Sequence, residues 1–308
     1  MSVTESLVRY QQWAAWTAVK KPDILEIPAA QAQLIGRITG DAFDGGRIAR
    51  WLTGLGATAV YRSVRDVHTG HTIHCVSDRP FQELTADLEL GLRLLAWMSV
   101  RPVTWYWWDQ PWVRELPANT DPGRDHINGG WAIPGVLEVH VYRREEAHKV
   151  MLHESIHALG LDVPLAAVEP VRAAFDRELG RSLWPHLGEA FTEFFAEWLW
   201  AIAGARSLRD AERRWAAQCL CSAAQAGRVW ARVWDSREAE NTNVFAYYVL
   251  KWVLMGHTGA VLLAPDRSVS QWLSWWRAAK KALAALTKTQ AATEGSNLRM
   301  GMTCPYGV

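Results

Sequence analysis

Apolar and polar positions change their period near residue 145. Before that point the pattern is mixed. Residues 57–63 and 71–77 are short β-prone runs bounded by glycines, and each is expected to form a strand. Between residues 82 and 98, Leu84, Leu88, Gly91, Leu92 and Leu95 recur at three- and four-residue steps, which predicts a helix. Residues 103–108 read as a strand between Pro102 and Pro111, and 117–130, rich in Pro, Asn, Asp and Gly, as a loop. Residues 136–142 alternate apolar and polar side chains, the pattern of a half-exposed strand.

From Glu145 onward the period is helical, with helices expected near 145–159, 166–180, 187–204, 207–233, 242–256 and 269–286. Ser207 and Asn241 or Thr242 are the expected N-caps, and Gly204 and Gly256 fall near C-terminal ends. Periodicity fades over the last twenty or so residues. The expected organisation is α+β: a mixed α/β lobe over 1–160, a helical lobe over 161–287 and a loosely ordered tail over 288–308.

Composition narrows the function classes. The chain has 308 residues, 49% hydrophobic and 21% charged, with 33 lysines and arginines against 32 acids. A net charge of +1 without a dense basic stretch points away from nucleic acid and from an anionic membrane surface. The longest apolar run, 244–264, is interrupted by Lys251 and His257 and is expected to be buried helix and loop, not a membrane span. The first residues lack a basic segment followed by an apolar one, so no secretory signal is read. Cysteines 75, 219, 221 and 304 have neither disulfide-framework nor metal-knuckle spacing, which makes an intracellular, reducing compartment the expectation. Nineteen tryptophans are many for this length; most are expected in the core, with a minority on a Trp-rich surface that binds protein partners.

The chemistry concentrates in His153-Glu154-Ser155-Ile156-His157. Helical positions i and i+4 share a face, so His153 and His157 can present two imidazoles to one ion. Glu154, one position on, projects beside that pair, where it can take a proton from zinc-held water as general base. Composition alone would produce the pattern with a probability of roughly 0.02, so its setting decides its weight. Met151, Leu152, Ser155, Ile156, Ala158 and Leu159 are uncharged, as a buried helix requires, and Gly160 then ends the helix. The bland reading is a pair of histidines satisfied in a helix interface with Glu154 at the surface.

Zinc needs a third protein ligand, and no histidine follows His157 at short spacing. Residues 188–198 offer Glu189, Glu193 and Glu197 at i, i+4 and i+8 on one face of an apolar helix. Three acids there are costly to bury without positive charge, which a zinc ion would supply. A solvated acidic stripe is the alternative.

These two motifs resemble those of zincin metallopeptidases with a glutamate ligand, the gluzincins. The string Glu193-Phe194-Phe195-Ala196-Glu197 is similar to the third-ligand helix of the anthrax lethal factor type, which implies Glu193 as ligand. Reading Glu189 and Glu193 as the thermolysin-type Glu-x-x-x-Asp pair implies Glu189 instead. The resemblance spans about 60 residues. It implies a zincin-like sheet over the active-site helix, a helical C-terminal lobe, an edge strand at 136–142 that pairs with an extended peptide or protein substrate, and a Tyr of the helical lobe at the oxyanion, for which Tyr247 and Tyr248 are the candidates. His140 and His126 are expected to be strand-surface and loop residues. The function expected is a zinc-dependent metallopeptidase, more an endopeptidase than an exopeptidase. The alternative is a structural or assembly component of zincin fold, for example of a large particle such as a virion, whose metal is mainly structural.

Overall fold

The computed structural model describes residues 3–28, 46–116, 123–162, 165–179, 187–233, 243–263, 269–290 and 298–299. The chain is mixed α and β and divides into two compact units: Ala14–Arg114 with Asn128–Leu161, and Met1–Trp13 with Glu115–Ile127 and Asp162–Val308.

The first unit is built on a six-stranded mixed sheet. Its strands are β1 (Ile24–Glu26), β2 (Val60–Asp66), β3 (Thr72–Ser77), β4 (Thr104–Asp109), β5 (Gly130–Ala132) and β6 (Glu138–Val141), in the order β1-β2-β3-β4-β6-β5. The β1–β2, β2–β3 and β5–β6 pairs are antiparallel, whereas β3–β4 and β4–β6 are parallel. Helix α1 (Val3–Ala18) enters this unit with its last residues, where Trp16 is buried against Trp97. Helix α2 (Arg47–Leu55) follows β1 in the chain, and α3 (Phe81–Met98) makes the crossover between β3 and β4 that parallel strands require.

Every residue of β3 is buried, so both faces of the sheet are covered. On one face Ile73 and Trp105 receive α3 at Gly91, where an added Cβ would stand 2.5 Å from the Trp105 ring. On the other, Val76, Tyr106, Trp108 and Tyr142 pack with Ile48, Trp51 and Leu52 of α2. The alternation in β4 therefore sends aromatic rings to both sides. Trp105 and Trp107 stack on one face, Tyr106 and Trp108 on the other. Helix α4 (Ala147–Leu159) returns along β6 and closes the unit.

The second unit is helical: α5 (Leu165–Leu179), α6 (Leu187–Ala203), α7 (Leu208–Val233), a π turn (Ala246–Leu250) running into α8 (Lys251–Met255), α9 (Thr258–Leu263) and α10 (Val269–Gln290). Ser207 caps α7, its Oγ accepting the Asp210 N–H at 3.1 Å. Trp198, Trp272, Trp275 and Trp276 are buried and Trp200 is half-buried, so these tryptophans are core rather than an exposed partner surface. Among the described residues, no helix is long and apolar enough to cross a membrane.

Several expectations need correction. The strand expected over 57–63 begins at Val60 and runs to Asp66, because residues 56–58 form a 3-10 turn. The segment expected as a loop contains a helical turn at Arg124–Ile127 and ends on Gly130, the first residue of β5. Residues 136–142 do not hold the edge strand: β6 lies between β4 and β5, and β5 is the edge. The alternation misled because His140, polar in a pattern count, is buried and lies flat on Trp131 at 3.7 Å between ring centres. The helix expected over 242–256 runs over 244–255 among the described residues, but with a π turn inside it at Ala246–Leu250. The tail is less plain than expected, since α10 reaches Gln290 and Leu298–Arg299 pairs with Glu115–Leu116. Cys221 is disulfide-bonded, which spacing along the chain does not reveal and which removes a support for a reducing compartment. Caps Asn241 and Thr242, Cys304 and most of the tail lie outside the described residues.

Candidate metal centre

Helix α4 is buried on almost every side: Ala147 to Ile156 are all buried, as a helix packed around its whole circumference must be. Its start is unusual. Glu146 adopts a left-handed conformation (φ 60°), and its carboxylate accepts from the buried Arg114 guanidinium at 2.5 Å. A non-glycine residue in that region costs about 1 kcal/mol or more, and the ion pair offsets it. The adjacent Arg143 is buried too. Its Nε donates to the Asn128 carbonyl at 2.6 Å and its Nη1 to the Val113 carbonyl at 2.8 Å. Burial, followed by the like charge of Arg114, pushes its pKa down to about 10. The helix ends in a Schellman turn: Gly160 (φ 67°) donates to the His157 carbonyl and Leu161 to that of Ile156.

Within this frame the His153 and His157 Nε2 atoms stand 3.2 Å apart, with their rings at 69°. Two nitrogens bound to one tetrahedral zinc at 2.0–2.1 Å are themselves about 3.3 Å apart. The observed separation fits that geometry. His153 is buried and His157 half-buried. Glu154 is 7% exposed, and an added Cβ at Gly130 would stand 3.0 Å from its Cγ. The edge strand β5 thus lies directly against the Glu154 side chain at its Cγ. A third histidine on this helix takes no part: His148 Nε2 donates to the Asp87 carbonyl at 2.7 Å, its ring meets Trp105 edge-on, and burial lowers its pKa.

In the helical unit α6 carries the three expected acids, and each has its own surroundings. Glu189, in the first turn, is half-buried; its Oε2 accepts from the Tyr247 hydroxyl at 3.2 Å, and that hydroxyl lies 3.4 Å from Asn243 Nδ2. Glu193 is buried at 1% exposure. Glu197 is fully buried: Lys251 Nζ meets its Oε1 at 2.5 Å and Gln218 Nε2 its Oε2 at 3.0 Å. Positive charge for at least one acid of the stripe therefore comes from the chain itself. Sequence reasoning missed Lys251 as a partner, treating it only as an interruption of an apolar run. The available signal was that a lysine inside such a run needs a carboxylate when buried.

Tyr247 is half-buried and engaged with Glu189, whereas Tyr248 is fully buried beneath Lys251. His126 accepts the Gly123 N–H at 2.9 Å in its short turn. His140 is core rather than strand surface, stacked on Tyr106 and Trp131. No protein-family model matches the chain, and no curated protein or solved structure matches it.

Proposed function

We propose that the chain is a zinc-dependent hydrolase of peptide bonds, with His153, His157 and Glu189 as the protein ligands. The observation that carries this reading is the convergence of the two imidazole Nε2 atoms to 3.2 Å on a buried helix with Glu154 beside them. Glu189 is preferred to Glu193 because it is the more exposed of the two and already accepts a hydroxyl hydrogen bond that fixes its carboxylate. Glu197 is committed to Lys251.

Zinc, when bound, polarises a carbonyl and acidifies water. The chain supplies the rest. Glu154, poorly solvated and set by β5, accepts a proton from the attacking water and delivers it to the departing amine. The Tyr247 hydroxyl orients Glu189. Strand β5 is a sheet edge, so its outer backbone groups suit an extended peptide added as a further strand.

The test begins with elemental analysis of protein purified without added metal, where about one zinc per chain is expected. Glu154→Gln should keep that zinc and lose cleavage of a peptide library, and Glu189→Ala should lose more zinc than Glu193→Ala. Absence of stoichiometric zinc would sink the proposal. Zinc in a wild type that cleaves nothing would leave the metal as a structural element.

A further inference from the structure

The helical unit holds a charged network that this reading of the site does not use. Glu197, Lys251 and Gln218 are all 0% exposed, and they close on one another through the 2.5 Å ion pair and the 3.0 Å hydrogen bond that the Gln218 amide donates to Glu197. A fully buried ion pair is poor value for stability, because desolvating two charges offsets their attraction, and apolar residues of similar size often serve as well. Its better-attested use is to select one register between packed elements.

The register at stake is that of the π turn. Lys251 is the first residue past it, and its N–H reaches back five residues to the Ala246 carbonyl. Such turns are uncommon and recur at functional sites. Tyr247 lies inside this turn, one turn before Lys251, and both side chains reach α6. Their partners, Glu189 and Glu197, are eight residues apart, about 12 Å along that helix. The π turn is thus held to α6 at two points. The outer one is a 3.2 Å contact on half-buried groups, and the inner one is a buried ion pair with both acceptor oxygens engaged.

We propose that Lys251 is a positioning residue: paired with Glu197, it locks the π turn onto α6 so that the Tyr247 hydroxyl is held on the Glu189 carboxylate. The proposal rests on the reading of Glu189 as a ligand, and it predicts that zinc affinity senses Lys251 through Tyr247.

The experiment is a mutant cycle on the full chain, with zinc affinity measured by competition with a chromophoric chelator. Tyr247→Phe should weaken zinc binding about tenfold, the scale expected for a group orienting a ligand. The apolar double variant Lys251→Met/Glu197→Met, chosen so that no buried charge is stranded, should weaken it to a similar degree. Adding Tyr247→Phe to that double variant should then cost less than twofold. The same tenfold cost in both backgrounds would overturn the proposal, as would a double variant with wild-type affinity, the result of a merely structural pair.

A second arm needs no metal. In zinc-free protein labelled with 3-fluorotyrosine, the Tyr247 signal is identified by its loss in Tyr247→Phe. Its fluorine shift should move toward that of free fluorotyrosine in the double variant, and an unmoved signal would also refute the lock. If the native protein holds no zinc, the ligand reading fails by itself and the fluorine arm still decides about Lys251.

Discussion

Gly130→Ala probes the contact between the edge strand and the histidine helix. The added Cβ would stand 2.5 Å from the His140 carbonyl oxygen, 2.9 Å from Val150 Cγ1 and 3.0 Å from Glu154 Cγ. Two of these are side-chain atoms of a buried helix and the third is backbone of β6, so none can swing aside. Overpacking of this kind costs about 1–3 kcal/mol. Restricting the unfolded chain returns about 0.4–1 kcal/mol, which leaves a net loss of about 1–2 kcal/mol. Gly54→Ala is the matched control. Gly54 lies in α2, has nothing within 4 Å of an added Cβ, and should gain up to about 1 kcal/mol from helix propensity. The two alanines should therefore differ by about 2–3 kcal/mol, measured as urea midpoints followed by tryptophan fluorescence and by backbone circular dichroism. Gly130→Ala should also slow any peptide cleavage at temperatures where it stays folded, because it pushes on the Glu154 side chain. Equal midpoints for the two variants would refute the packing of β5 against α4 and the restraint of Glu154 derived from it.

Asp109 is fully buried and accepts from Ser77 Oγ at 2.5 Å, Arg79 Nε at 2.7 Å and Arg144 Nε at 3.1 Å. Asp109→Ala should cost about 3 kcal/mol of unfolding free energy, and a loss below 1 kcal/mol in a denaturation curve would contradict this anchoring role. The rings of His71, His74 and His148 all have pKa values lowered by burial. Below about pH 6.5 the unfolded chain takes up protons that the folded chain resists, so stability should fall as pH drops, by up to about 1.4 kcal/mol per unit for each ring. Urea midpoints at pH 7.5 and 5.5 measure that slope, and His148→Gln should make it shallower; an unchanged slope would show that His148 contributes nothing to it. For the metal, a strong chelator should lower the melting temperature of native protein and leave that of His153→Ala/His157→Ala unchanged, and equal shifts would argue against a site at these histidines.

Local signals were the legible part. Helix α4 and its stop at Gly160, the periods of α3, α6 and α7, the Ser207 cap of α7, and the strands β3 and β4 follow from spacing that acts within a few residues. The i, i+4 placement of His153 and His157 is equally local, which is why the candidate pair could be named from the chain alone. The edge of the sheet was not legible. β5 has only three residues and begins at the second glycine of the Gly129-Gly130 pair, and whether β5 or β6 lies outermost depends on pairings between strands, not on alternation within one. The acids of α6 were visible as a stripe, but their division was not. Glu197 belongs to Lys251 across 54 positions and Glu189 to Tyr247 across 58. The π turn that lets both residues reach α6 inserts one residue into a helical period, and only packing against another helix decides where such an insertion falls. Sequence by itself determined which residues could carry the chemistry, because residue type and helical spacing are properties of the chain. Tertiary structure decided which charges are already neutralised and which strand is exposed, because those are settled by contacts between residues far apart in sequence.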